Sequence, residues 1–384
     1  MRQLNRRAFL RYGAGSGLAL MSSHLLTGCG APMPYIPVPT DLPWDDDAEV
    51  AAVRGTDLYD MTRAVLDAVG GIDSIVHPGE TVFIKPNLGG LDFVPQNVFT
   101  TGESSKIEIV AAVAEECLKA DAAKVIIGEG GQIPRFSWKN AVALDGSTNL
   151  DAEARRLDAA YPGRISLVCL EAESPTWDAV PSPHTDLRRI YVSSHVTRAD
   201  RVISIAPVKS HRWTYLTGAM KNFVGTACLK RHSSIPFSRS RLHTAAGGVT
   251  QCFLDIVATV QPDLAIIDGS IGCEGNGPHV APFWGTTVDI RDRLGDWFLL
   301  AGTDVAAVDA TVARIIGLEP TEVPCLQQAY EQGIGQIHED RIAMRGARLD
   351  ELKMDWILAD HIEGFDQALL PTILTALAKL AGAW

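Results

Sequence analysis

"RVISIAPVKSHRWTYLTGAMKNFVG", residues 201–225, leads from an apolar run into a segment that holds Lys209, His211 and Lys221. "RVISIA" is rich in β-branched residues and shows little polar alternation. That is the pattern of a strand buried on both faces, as in a parallel sheet sandwiched between helices. "GAMKNFVG" reads as helix. Three ionisable side chains therefore stand beside a forming core, where an unpaired charge is costly.

Outward from this stretch, short apolar runs alternate with helical patterns. "TVFIKPN" (81–87), "KVIIGEGG" (124–131), "RISLVCLE" (164–171), "LAIIDGS" (264–270) and "DWFLLAGTD" (296–304) read as strands. Between 105 and 119, Ile107, Val110, Val113, Ala114, Cys117 and Leu118 fall on one helical face. Further helices are expected over 249–260 and 305–316. The alternation predicts one α/β domain over residues 51–384, with a mostly parallel sheet, helices on both faces and Rossmann-like layering. Residues 132–195 are the least regular part and read as one helix, a strand and long loops.

Ligands of open α/β sheets bind beyond the carboxyl ends of the strands. There the runs end in Lys85-Pro86-Asn87, Glu129, Lys209-Ser210-His211, Asp268 and Thr303-Asp304. One such residue is ordinarily a solvated turn residue. Five runs ending in polar groups on one edge point to a shared pocket that takes a small anionic molecule. Lys221 lies amid Met220, Phe223 and Val224, and Gly218 and Gly225 permit close backbone approach. Asp309 shares a stripe with Val305, Val312 and Ile316, so it faces the core and needs a donor. Lys221 and a nearby backbone group are both open as that donor. "CEGNGPH" (273–279) reads as a tight loop presenting Glu274, and "KRHSSIPFSRSRLH" (230–243) as either a solvated basic loop or a lid that includes His243.

The chain has 384 residues and a formal net charge of −12, which argues against a nucleic-acid partner. Arg6-Arg7 followed by Ala8-Phe9-Leu10-Arg11 resembles a twin-arginine export signal, and Leu26-Thr27-Gly28-Cys29 resembles a lipobox. Residues 1–28 are therefore expected to be a signal peptide and Cys29 the lipidated first residue. The expected location is the periplasmic or extracytoplasmic face, with the twin-arginine machinery and a membrane as partners. Residues 29–50 begin with the proline-rich "APMPYIPVPTDLP", a stiff tether. Six cysteines follow Cys29, none in a C-x-x-C motif of the kind iron–sulfur clusters use.

The ordered motifs "VFIKPNL", "VIIGEG", "VKSHRWTYLTGAMKNFVG", "RLH", "DLAIIDGSIGCEGNGP" and "GTDVAAVDATVARIIG" resemble the family called domain of unknown function 362, over about residues 79–335. The resemblance carries over Lys85, Asn87, Lys209, His211, Lys221, Asn222, Gly225, His243, Asp268, Glu274, Gly275, Gly277, Asp304 and Asp309. Many relatives carry ferredoxin-like cysteine clusters, which this chain does not match, and the family supplies no general reaction.

The leading expectation is an enzyme. Lys85, Lys209 and Lys221 would neutralise an anion, and His211 or His243 would move a proton. Asp268 and Glu274 would act as an acid–base pair or hold a divalent metal through oxygen. Asn87, Asn222, Gly225, Asp304 and Asp309 would complete ligand binding. A non-catalytic ligand-binding lipoprotein and a redox protein with a cofactor loaded before export are the alternatives.

Overall fold

The computed structural model describes residues 43–88, 101–234, 238–280 and 284–361. The expected signal peptide, Cys29 and the tether up to residue 42 lie outside the described residues. The first strand, β1 (Ala48–Gly55), starts inside the span assigned to the tether, whose last three residues are thus part of the fold.

The sheet runs in the order β12 (Ile342–Gly346), β1, β11 (Trp297–Gly302), β9 (Leu264–Gly275), β7 (Arg201–His211), β2 (Thr81–Pro86), β3 (Lys124–Glu129), β4 (Ile165–Cys169). Strands β9, β7, β2, β3 and β4 are mutually parallel. β8 (Tyr215–Leu216) and β10 (Gly285–Asp289) pair antiparallel with β7 and β9. Successive strand residues point to opposite faces. Val82, Phe83 and Ile84 are all fully buried, as are Ile266 and Ile267, so both faces of the sheet are covered. The mostly parallel α/β architecture is as the sequence predicts.

Helices α1 (Leu58–Ala68) and α2 (Ile107–Lys119) pack together, and all six residues of the expected face of α2 are buried. α3 (Leu150–Ala160) lies against α2 and β4. α4 (Gly218–Lys221) is a single turn that packs on α6 (Val305–Ile315) and β7. α5 (Gly248–Val260) covers the hairpin of β5 (Trp177–Ser182) and β6 (Arg188–Ser193).

Four sequence readings change. The hairpin β5–β6 occupies part of 132–195 that reads as loop, because its prolines and serines mask the strand pattern. β9 continues through Gly275, so Glu274 stands in a strand opposite Thr286 and not in a loop. β7 continues through His211, so Lys209 and His211, expected beyond the carboxyl end of their strand, are strand residues, 4% and 2% exposed. β11 runs antiparallel to β9, pairing Gly302 with Ala265. Its end, with Asp304, therefore lies at the opposite edge of the sheet from the ends of β2, β7 and β9.

Candidate active site

The site begins where β7 outlasts its regular pairing. Its register with β9 moves from Pro207–Asp268 to Lys209–Cys273, an irregularity that re-aims the end of the strand. The chain then folds back through β8, with Tyr215 in the left-handed region at φ 65°, and enters α4. Residues 201–225 thus make a strand, a tight return and a helical turn. The three ionisable side chains of this stretch converge: Lys221 and Lys209 both repel a proton on His211, and Lys209 repels one on Lys221.

On one side lies a saturated polar network. Lys85, 1% exposed, donates to Glu129 Oε1 at 2.6 Å, to Pro86 O at 2.7 Å and to Asn222 Oδ1 at 3.2 Å. Glu129 also accepts from Gly130 N at 2.8 Å and Leu88 N at 2.9 Å. Asn222 Nδ2 donates to Lys85 O, Ser204 Oγ and Ile205 O, tying β2 to β7. Asn87 Nδ2 donates to Asn222 Oδ1 at 3.1 Å, and Asn87 Oδ1 accepts from Lys209 Nζ at 2.8 Å. Lys209 also donates to Glu103 O at 2.7 Å. A Cβ on Gly225 would stand 2.8 Å from Glu129 Oε1 and 3.0 Å from Lys85 Cε, so only glycine lets the pair close beneath it.

On the other side stands Lys221. Among the described residues its ammonium has no hydrogen-bond or ion-pair partner, and the residue is partly buried. Burial, followed by repulsion from Lys209, lowers its pKa to about 7. Burial and then Lys221 lower His243 to about 3. Burial, Lys221, His243, Lys209 and His279 hold His211 well below the ordinary histidine range. Both rings are therefore neutral near pH 7. Trp213 N donates to His211 Nδ1 at 3.1 Å, which leaves the ring proton on Nε2. Trp213 lies between the two rings, at 5.4 Å from His211 and 5.3 Å from His243 between centroids, and Trp284 follows at 6.2 Å.

Asp309 does not pair with Lys221. Its carboxylate accepts from Ala219 N at 2.6 Å and Met220 N at 3.0 Å, holding the start of α4, the turn that carries Lys221. Burial raises its pKa to about 7, against the pull of those two donors. Gly218, at φ 57°, is required here because a Cβ would lie 2.5 Å from the Asp309 carboxyl atoms. Asp309 is a positioning residue.

Three expected site residues serve elsewhere. Asp268 is fully buried and accepts from Lys106 N at 2.9 Å, Ser270 N at 3.0 Å and Ser270 Oγ at 2.5 Å, with Lys106 Nζ at 3.8 Å. Glu274 pairs with Arg293 at 2.8 Å and accepts from Ile357 N at 2.9 Å. Asp304 caps α6 through Ala307 N and accepts from Gln336 N. Asp268 and Glu274 each face a protein cation, which disfavours a divalent metal between them. Among the described residues no group of three or more His, Cys, Asp or Glu gathers as a metal site.

The basic run 230–243 is not a lid where it is described. His232 accepts from Tyr191 N at 3.0 Å, and Arg239 pairs with Glu171 at 2.8 Å. His243 of this run lies near Lys221, and Arg239, which also donates to Gly225 O, lies near Lys85. Sequence reasoning overlooked Glu103, whose carboxylate accepts from Val280 N at 2.6 Å and lies 3.3 Å from His279 Nδ1. It placed Glu129 at the shared strand edge but gave it no role in the site. The cysteines at 117, 169, 228, 252, 273 and 325 are free and buried.

The geometry defines an α/β protein with a buried cationic site at the carboxyl ends of its parallel strands. The chain belongs to the domain of unknown function 362 family, whose model matches residues 82–314. It is 26% identical over 277 residues to a thylakoid-associated protein of Synechocystis sp., covering 71% of this chain and 74% of that one. Lactate racemase apoprotein from Thermoanaerobacterium thermosaccharolyticum superposes with a TM-score of 0.35 at 11% identity, covering 61% of this chain and 55% of that one. A Thermotoga maritima protein gives 0.35 at 10% identity, covering 73% and 59%. This chain spans little more than half the length of either solved protein, and neither likeness bears on activity.

Proposed function

We propose that this protein is an exported, lipid-anchored enzyme acting on a small anionic molecule, with Lys221 as its proton-transfer group. The observation that carries the reading is the unpartnered, partly buried ammonium of Lys221 beside the anchored ammonium of Lys209. A lysine that titrates near neutrality both accepts and returns a proton at working pH. Lys209, fixed by Asn87 and Glu103, supplies charge at a constant position for the anion. Neutral His211 presents an Nε2–H donor to developing negative charge, in the manner of an uncharged electrophilic imidazole. Glu129, Lys85, Asn222 and Asn87 keep Lys209 in place.

Export by the twin-arginine route and attachment through Cys29 rest on the N-terminal motifs. Membrane association accords with the Synechocystis relative being a thylakoid-associated protein.

The test is a thermal-shift screen of the full chain, purified from membranes, against small carboxylates and phosphates, followed by turnover assays on those that bind. Lys209→Met should abolish the shift, whereas Lys221→Met should keep binding and lose turnover about a thousandfold. A ligand that binds tightly and is recovered unchanged would replace the enzyme with a carrier. No shift with any anion would overturn the reading.

A further inference from the structure

We infer that Lys221 is a nucleophile that condenses with a carbonyl group, and that the substrate is an anion bearing an aldehyde or ketone next to its charge, such as a 2-oxo acid. The inference rests on the anion-binding reading above and gives the site a substrate class.

Two lysines of one site differ in a way that suits two functional groups of one molecule. The Lys209 ammonium is held by two acceptors, Asn87 Oδ1 and Glu103 O. It is an oriented, persistent charge and the natural partner of a carboxylate. Lys221 is held by none among the described residues, so its nitrogen is free to form a bond. Every neighbouring element leaves it without a counter-charge. From β7 it faces Lys209 and His211. From the short helix Ser240–Thr244 it faces His243. Asp309 of α6 is turned to the backbone of α4, and Cys325 is a buried thiol whose pKa burial raises to about 12. Desolvation and a second cation are the two conditions that make a lysine amine nucleophilic near neutrality.

The step balances without an added reagent. The neutral ε-amine adds to the carbonyl carbon, and a proton passes from nitrogen to the former carbonyl oxygen, giving a carbinolamine. Loss of that hydroxyl as water, with the second amine proton, leaves a C=N bond. The Nε2–H of His211 is the neutral donor for the oxygen during addition. The imine so formed takes up a proton from solvent, and the resulting iminium, beside a carboxylate held by Lys209, withdraws electrons from the adjacent carbon. Proton exchange or C–C cleavage at that carbon is the chemistry it would support.

The experiment incubates the full chain with glyoxylate or pyruvate and sodium cyanoborohydride at about pH 7, then maps reduced adducts by peptide mass spectrometry. The exposed Lys124 and Lys353 are internal references. Labelling of Lys221 at least about tenfold faster than both is expected. Lys221→Arg should lose that fast adduct while keeping the melting temperature. Lys209→Met should slow it across the pH range, and most near neutral pH, since it removes both the partner of the substrate carboxylate and the neighbouring cation that keeps the Lys221 amine neutral. Equal labelling of Lys221 and the references, or a fast adduct that persists in Lys221→Arg, would overturn the inference. A thermal shift with pyruvate but no fast adduct would sink the condensation and leave the anion-binding reading intact. Loss of both would remove both.

Discussion

Lys85 is buried and Lys221 partly buried within one constellation, and the two are treated in opposite ways. Lys85 has an acid, a carbonyl and an amide oxygen within hydrogen-bond distance. Lys221 has none among the described residues. A buried charge with full partners is structural, since its removal exposes unpaired groups. A partly buried charge left without them is a cost that the fold sustains, and such costs concentrate where chemistry happens. The difference separates the part of the family's motif that builds the site from the part proposed to act.

The contrast is sharpest at Glu129. Glu129→Ala would leave Lys85 buried beside Asn222 with no counter-charge. A loss of about 3–5 kcal/mol in urea-unfolding stability is expected. A loss below about 1 kcal/mol would mean that the Lys85 pair is no more structural than Lys221. Asp309→Asn comes next. An asparagine can accept from one of Ala219 N and Met220 N but turns an amide N–H toward the other, which costs about 1–3 kcal/mol. Misplacement of α4 should also slow the reaction of Lys221, and a variant that loses stability while Lys221 reacts at full rate would break the positioning role.

The smallest effect concerns pH. Folding lowers the Lys221 pKa from 10.5 to about 7. Between those values the folded chain binds fewer protons than the unfolded one, so this group's contribution to stability rises with pH across that window. Lys221→Met should therefore melt a few degrees above wild type at about pH 6, and the gap should close toward about pH 10. Asp309, raised to about 7, has the opposite sign, and its contribution falls as pH rises from 3.8 to about 7. A Lys221→Met melting difference that is flat with pH would indicate an ordinary solvated lysine.

Much of this was legible in the residues. The apolar runs of β2, β3, β7 and β9 and the buried face of α2 carry their own periodicity. The convergence of Lys85, Asn87, Lys209, His211, Lys221 and Asn222 follows from placing the ends of parallel strands on one edge. What was not legible is strand direction. β11 looks like its neighbours in composition, and only its antiparallel pairing sends Asp304 to the far edge. Glu274 misled for a related reason. Gly275, Gly277 and Pro278 signal a loop, yet β10 supplies partners that keep the strand going to Gly275. Asp268 was read as the end of its strand, whereas β9 runs on to Gly275, and its partner Lys106 begins a helix 162 residues earlier and has no local signature.

The bond from Lys209 to Asn87 spans 122 residues of chain. A link of that length forms only after β2 and β7 have found each other across the intervening α2, α3 and strands β3 to β6, so loop-closure entropy delays it. Ligand affinity should thus appear late in refolding, after most helical signal has returned. Binding would serve as a report that the central sheet is in register, a useful property for a chain whose N-terminal motifs point to an export route that accepts only finished folds.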